Sequence, residues 1–170
     1  MPDQQLIQRC AAKIRSLPVP DPFDVEQFRI NLENHRKRGL QLIPAQTPPA
    51  CSGMWIPLSD TDCIFYERAT TRPHQVHIIA HETGHMVFGH HGESLGDSEL
   101  TRLLFPDLDP DTVRSALARS GYTDIEEQEA ETFASLLLDH IKTTDASDLP
   151  PEKADLLRRV EAAFATGTRS

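Results

Sequence analysis

The residues best suited to chemistry form the stretch His81-Glu82-Thr83-Gly84-His85, an HExxH pattern. On a helix its two histidines lie four residues apart on one face, which is the arrangement that binds a zinc ion. Glu82 lies about 100° further round the helix than His81, so its carboxylate reaches a water molecule at the metal without ligating the metal. The pattern therefore predicts a zinc site with two histidine ligands and Glu82 as general base.

The helix that carries this pattern is predicted from Gln75 to about Gly89, with Pro73 near its start and Gly89 ending it. Apolar residues occupy one side of the helix and also stand among the histidines on the other side, so we expect the helix to be buried. Buried histidines need polar partners, because an unpaired polar group is costly in apolar surroundings. A metal ion would meet that need. Two core histidines bonded to backbone carbonyls are the alternative.

A zinc site of this kind takes a third protein ligand, usually a histidine or a glutamate. His91 lies six residues after His85, where the pattern HExxHxxGxxH has its third histidine. That pattern needs glycine at the position of Phe88, whereas the glycine here is Gly89. We therefore interpret His90 and His91 as residues that follow the helix end, where cationic side chains are tolerated.

The second candidate for the third ligand lies in a long helix predicted over residues 124–138. Glu127 and Glu131 fall on the apolar face of that helix, pointing toward the core. Carboxylates are rarely buried unless they are paired or bound to metal. We therefore predict that Glu127 is the third ligand and that Glu131 accepts a hydrogen bond from the second nitrogen of a ligating histidine. Glu129 and Glu126 are interpreted as part of a solvated face.

Amide hydrolysis places negative charge on the substrate oxygen, and a tyrosine or histidine beside the metal can stabilise that charge. The chain has two tyrosines: Tyr122, five residues before Glu127, and Tyr66, at the end of a predicted strand. His77, on the metal-facing side of the HExxH helix, is the third candidate. The sequence leaves the choice among these three open.

The two motifs, His81-Glu-Thr-Gly-His85 and Glu127-Gln-Glu-Ala-Glu131-Thr-Phe-Ala134, resemble those of the ImmA/IrrE family of metallopeptidases. The upstream stretch Asp62-Cys-Ile-Phe-Tyr-Glu67 is similar to small stand-alone actinobacterial members of that family. The resemblance implies a minimal gluzincin-like zinc metallopeptidase fold in the cytoplasm. It also implies an endopeptidase that cleaves a helix-turn-helix transcriptional repressor in phage, mobile-element or stress regulation. Glu131 stands where the family usually has Asn or Asp.

Two other functions use the same motifs. A regulatory binding module would use the zinc-stabilised fold to bind a repressor without cutting it, and a toxin-like component would bind a partner within a two-protein module. Glu82 favours catalysis, because a pure binder needs no general base beside the metal. The two-histidine, one-glutamate set favours zinc, although manganese or iron can use the same ligands.

Composition narrows the classes of partner. The 170 residues are 38% hydrophobic and carry a formal net charge of -9, with a pI of about 5.3. Such an acidic chain argues against direct nucleic-acid binding and favours a protein partner. The basic run His35-Arg36-Lys37-Arg38 is interpreted as structural, closing a helix. We expect a cytoplasmic protein with neither a secretory signal nor a membrane span.

The number and spacing of the cysteines are also typical of a cytoplasmic protein. Cys10, Cys51 and Cys63 are odd in number and lack CxxC spacing, so neither a disulfide framework nor a structural zinc finger is expected. We interpret them as reduced thiols that pack as small apolar side chains.

The predicted fold class is α+β, with helices packed on a small three-stranded sheet and the HExxH motif on a buried central helix. Helices are predicted at 4–17 and 24–38, with Asp24 as a cap and Gly39 ending the second, and strands at 40–44, 53–58 and 63–66. The strand 63–66 is assigned as the edge to which an extended peptide adds, with an interior position as the alternative.

We expect one metallopeptidase-like domain over residues 1–170. Its parts are the N-terminal helices and connector 1–39, the sheet and HExxH helix 40–91, a mobile connection 92–108 that acts as a lid, and C-terminal helices with the third ligand at 109–170.

Overall fold

A computed structural model describes residues 3–47, 51–58, 60–90 and 121–147. In order along the chain, the elements are α1 (Gln4–Ser16), α2 (Val25–Arg36), β1 (Gly39–Ala45), β2 (Gly53–Pro57), β3 (Thr61–Glu67), α3 (Arg72–Phe88) and α4 (Asp124–Ser147). Helices packed on a three-stranded mixed sheet confirm the predicted α+β class. His91, the connection 92–108 and, of the region 109–170 predicted to hold the C-terminal helices, residues 109–120 and 148–170 lie outside the described residues. No helix in the described ranges combines the length and apolar character that crossing a membrane requires.

Local interactions set the helix ends. The Asp24 carboxylate accepts a hydrogen bond from the Gln27 amide at 2.8 Å, so the predicted cap of α2 is confirmed. The prediction that Gly39 ends α2 is wrong: Lys37 adopts the left-handed conformation at φ 52° and terminates the helix. Gly39 instead opens β1, where an added Cβ would lie only 2.6 Å from the Thr61 hydroxyl oxygen. Glycine is needed there for close strand approach.

The sheet has the order β1-β3-β2, with β3 parallel to β1 and antiparallel to β2. The assignment of residues 63–66 as an exposed edge is therefore wrong, because β3 is hydrogen-bonded on both sides. The reason lies in its composition: Cys63, Ile64 and Phe65 are all buried, as expected for a central strand covered on both faces. The outer strands of the described sheet are β1 and β2.

The basic run at the C-terminal end of α2 is structural, as predicted. Asp62 on β3 is completely buried, and its Oδ2 accepts hydrogen bonds from Arg36 Nη1 and, at 3.0 Å, from Arg38 Nε. Its Oδ1 accepts a bond from Trp55 Nε1 at 3.0 Å. This buried carboxylate joins the end of α2 to β2 and β3. A charge in the core is costly unless it has such partners.

Helix α3 packs against both the sheet and α4, and α1 covers another side of α4. Gly84, inside the HExxH motif, makes the close approach of α3 to α4 possible. An added Cβ at Gly84 would lie 3.0 Å from the Ala130 Cα and 3.2 Å from the Phe133 ring. Ala130 stands one helical turn after Glu127, so this contact brings Glu127 beside the two histidines.

Candidate metal centre

Three potential ligand atoms converge between α3 and α4. His81 Nε2 lies 3.1 Å from His85 Nε2 and 3.2 Å from Glu127 Oε2, and His85 Nε2 lies 3.7 Å from Glu127 Oε1. Tetrahedral ligands about 2.1 Å from a zinc ion would be about 3.4 Å apart. The three residues thus have both the chemistry and the spacing that a zinc ion requires, and they form a possible metal-binding triad.

Glu127 and Glu131 lie at the rim of the contact between α3 and α4. Their side chains are 49% and 55% exposed, so the prediction that they point into the core is wrong. The reason is that Ala130 and Phe133, both fully buried, fill the center of this helix contact. A rim position leaves the Glu127 carboxylate accessible from solvent while still within reach of His81.

His81 has a carboxylate partner on its other ring nitrogen. Its Nδ1 lies 3.3 Å from Glu131 Oε2, the pairing predicted for that acid, and His77 Nε2 lies 3.2 Å from the same oxygen. Burial raises the pKa of Glu131, but hydrogen bonds and charge from His77, together with His81, hold it below its usual value. An ionised Glu131 fixes the tautomer of His81 with Nε2 free to ligate.

His85 is fully buried, and the ring of Tyr122 stacks on it with centroids 3.6 Å apart and planes 12° from parallel. Burial, followed by repulsion from His81 and His90, lowers the pKa of His85 to about 3. A neutral imidazole is the form that binds a metal. Burial, with the nearby Glu82 carboxylate, raises the pKa of Tyr122, which keeps its hydroxyl protonated.

Glu82 is buried beside the triad, against β2. The pKa of its carboxyl is raised to about 8 by burial, against the opposing effect of a hydrogen bond from the Trp55 amide. The backbone of Gly53 passes so close that an added Cβ would lie 3.0 Å from Glu82 Oε1. Its other oxygen, Oε2, has no hydrogen-bond partner among the described residues. Such an oxygen is suited to binding a water molecule next to a cation.

Two further residues were missed by the sequence interpretation. His90 follows the helix end as predicted, but its side chain is buried, with 6% exposure. The assignment of Glu129 to a solvated helix face is wrong, because its exposure is 7%. His90 Nε2 lies 2.9 Å from Glu129 Oε2, and His90 Nδ1 lies 2.9 Å from His85 Nδ1. Glu129 is buried because α1 covers its side of α4 and pairs it with Arg9.

The three candidates for stabilising the substrate oxygen take different positions. Tyr122 contacts a triad residue directly, and His77 faces Glu131 on the outer side of α3. Tyr66 pairs with Gly53 in the sheet. Within the described ranges, no hydrogen bond or ring contact joins Tyr66 to the triad.

Comparison of the chain with protein-family models, with curated proteins and with solved structures found no match. The interpretation of the site therefore depends on its own geometry: three convergent ligand atoms, an acid with an unpartnered oxygen, and rings that enclose one side of the cluster.

Proposed function

We propose that this chain is a zinc-dependent endopeptidase, with His81, His85 and Glu127 as metal ligands and Glu82 as general base. The observation that supports it most is the convergence of three ligand atoms from two helices next to a buried carboxylate whose Oε2 is unpaired within the described chain. A structural zinc site has four protein ligands and no bound water. Such a site would give no role to a carboxylate that lies beside the metal without ligating it.

The residues divide the work of amide hydrolysis. A bound zinc ion would supply Lewis acidity, activating water and polarising the substrate carbonyl. Glu82 takes the proton from the attacking water and returns it to the departing amine. A raised pKa suits both steps, because a carboxyl that titrates near neutral pH can hold a proton and release it within one cycle. Tyr122, the candidate in contact with the triad, is the best placed of the three to stabilise the substrate oxygen.

The exposed side of the cluster is where a substrate would enter. The side chains of His81 and Glu127 are 19% and 49% exposed, whereas His85 is fully buried. Strand β2 lies beside Glu82 and is an outer strand of the described sheet, so it replaces residues 63–66 as the strand to which an extended peptide would add.

The substrate class is a protein. The net charge of -9 disfavours a nucleic-acid ligand and favours a basic protein surface. The motif resemblance to the ImmA/IrrE family supports a cytoplasmic helix-turn-helix repressor as substrate, and hence a role in phage, mobile-element or stress regulation. Cleavage, rather than sequestration of such a repressor, is supported by the position of Glu82.

The first experiment measures metal content by elemental mass spectrometry after dialysis, for wild type and for Glu127→Ala. Glu26→Ala is the matched control, since Glu26 is an exposed acid on α2 that pairs with Arg29 and lies away from the triad. We expect about one zinc per chain in wild type and control, and much less in Glu127→Ala. Absence of zinc from wild type would refute the metal site.

The second experiment tests catalysis without a known substrate. Zinc-loaded wild type and Glu82→Gln are each incubated with a peptide library prepared from a whole proteome, and new amino termini are labelled and identified. Glu82→Gln should keep its zinc and lose cleavage by about 10²-fold or more. A zinc-loaded wild type that cuts no peptide and no purified helix-turn-helix repressor, yet binds that repressor, would favour the binding module.

A further inference from the structure

A buried chain of polar side chains leads from His85 to the surface on the side away from Glu127. His85 Nδ1 lies 2.9 Å from His90 Nδ1, His90 Nε2 lies 2.9 Å from Glu129 Oε2, and Glu129 Oε1 forms an ion pair with Arg9. The proposed reaction does not use His90, Glu129 or Arg9. A buried imidazole and a buried carboxylate are costly unless each is hydrogen-bonded. The burial of His90 and Glu129 therefore needs an explanation.

The turn after α3 aims the His90 ring at His85. Gly89 has φ 68°, a left-handed conformation that glycine adopts readily, and it reverses the chain at the helix end. The His90 amide then donates to the His85 carbonyl at 3.0 Å. His90 is therefore fixed to His85 twice, once through the backbone and once through the ring nitrogens.

The hydrogen positions along this chain follow from the ligand role of His85. If His85 ligates through Nε2, its Nδ1 carries the hydrogen and donates it, so His90 Nδ1 must accept. His90 Nε2 then carries a hydrogen and donates to Glu129. The other oxygen of the Glu129 carboxylate pairs with the Arg9 guanidinium. Each nitrogen and oxygen in the hydrogen bonds from His85 through His90 to Glu129 thereby has one consistent role as donor or acceptor.

We propose that His90, Glu129 and Arg9 are positioning residues for metal binding: they hold His85 as the Nδ1–H tautomer with Nε2 directed at the metal. The inference rests on the proposed metal site. It also assigns α1 a function, since Arg9 on α1 supplies the positive charge that pairs with Glu129.

The two histidine ligands are thus supported differently. His81 contacts a half-exposed carboxylate directly, whereas His85 reaches its carboxylate through a second imidazole within the protein interior. Water can replace a lost partner of His81 but not of His85. Loss of the buried chain should therefore weaken zinc binding.

The test measures zinc affinity by competition with a chromophoric chelator for wild type, Glu129→Gln, His90→Phe and Arg9→Met. Cys10→Ala is the matched control, because Cys10 is a buried residue at the same contact between α1 and α4 and its thiol bonds the Glu129 backbone carbonyl, not the carboxylate. We expect Kd to rise about 10- to 100-fold in Glu129→Gln and His90→Phe. It should rise less in Arg9→Met, whose side chain is already 60% exposed, and stay within about twofold of wild type in Cys10→Ala.

A spectroscopic measurement separates positioning from general loss of structure. Nitrogen-15 spectra of the zinc-loaded imidazoles should show a slowly exchanging hydrogen on His85 Nδ1 in wild type and in Cys10→Ala. His90→Phe should lose its protection, and His90→Asn should restore part of the affinity because its carbonyl oxygen can accept from Nδ1. If His90→Phe does not fold, Glu129→Gln decides the affinity test.

The outcomes separate the two proposals. The positioning role would be overturned if Glu129→Gln bound zinc as tightly as wild type, or if His85 Nδ1 carried no hydrogen in zinc-loaded wild type. Either result would leave the metal site intact. A wild-type protein without zinc would overturn the metal site itself, before any variant is compared.

Discussion

His81 Nε2 lies 3.1 Å from His85 Nε2, so the two imidazoles present their ligand atoms to one point, with Glu127 beside it. Without a metal, one of these nitrogens can donate a hydrogen to the other, whereas a bound zinc ion would be ligated by both of them and by Glu127. Zinc should therefore stabilise the folded protein by mass action, by about 2.7 kcal/mol when free zinc is 100 times Kd.

That stabilisation is measured as the rise in Tm on adding zinc to protein stripped with a chelator. We expect a rise of several degrees for wild type and none for His81→Ala. Magnesium serves as the control ion, because it prefers oxygen ligands in octahedral geometry. An equal rise with magnesium, or in the variant, would contradict the triad as the zinc site.

Glu82 should make the metal-free protein less stable as pH rises. Its pKa in the folded protein is about 8, against an ordinary value of 4.5. Below the lower value the carboxyl is protonated in both states, and between the two values only the unfolded state has released the proton, so stability falls as pH rises through this window. Thermal unfolding with a chelator at about pH 5.5 and about pH 8.5 measures the effect.

Glu82→Gln is the comparison, because its amide cannot ionise. We expect its Tm to change less over this pH range and to exceed that of wild type at the higher pH. Parallel pH profiles of the two proteins would show that Glu82 does not carry the effect.

Replacing Gly84 should separate α3 from α4. In Gly84→Ala the new methyl group would meet the Ala130 backbone at 3.0 Å, and backbone cannot yield as a flexible side chain can. We expect a loss of about 1–3 kcal/mol in the free energy of unfolding, together with weaker zinc binding because Glu127 moves away from His81. Chemical denaturation and chelator competition measure the two effects.

Gly121→Ala is the control for Gly84→Ala, since an added Cβ there has no atom of the described residues within 4 Å. It should leave both quantities unchanged. Normal zinc affinity in a destabilised Gly84→Ala would mean that the helix separation does not set the position of Glu127.

Asp62 should matter for stability. Asp62→Asn removes the charge that pairs with Arg36 and Arg38 in a fully buried position. Breaking such a pair leaves uncompensated charge, and we expect a loss of about 3–5 kcal/mol in the free energy of unfolding. Denaturant titration of the variant beside Asp60→Asn, an exposed neighbour, measures it. A loss no larger than that of the control would contradict the structural assignment of the basic run.

The cysteines should differ in reactivity. Burial raises the pKa of both Cys10 and Cys63 to about 11, so the thiolate fraction at pH 8 is on the order of 0.1%. Cys51 is half-buried and should be alkylated first in the native protein. Iodoacetamide labelling followed by peptide mass mapping reads the order, and denatured protein provides the reference in which all three react. Early modification of Cys10 or Cys63 would contradict the burial of these thiols.

The sequence by itself determined the features that depend on local periodicity. The spacing of His81 and His85 places them on one helix face wherever that helix lies. Asp24 caps α2 by accepting a hydrogen bond from the amide of Gln27, three residues later in the sequence. Helical periodicity also placed Glu127 on the side of α4 that meets α3, although its carboxylate is half-exposed at the rim of that contact and not in the core. The α+β class followed from the same periodic patterns.

Only the tertiary structure decided which faces are covered and by what. The helical wheel of α4 shows one apolar stripe, but α4 is contacted by α3 on one side and by α1 on another. The second contact buries Glu129 with Arg9, which lies far away along the chain, and no pattern within α4 encodes that pairing. Likewise β3 is central because β1 bonds to the side opposite its neighbour β2, and His90 is buried because Gly89 turns it back onto His85. Burial is a property of the assembled surfaces, so it could not be obtained from the elements one at a time.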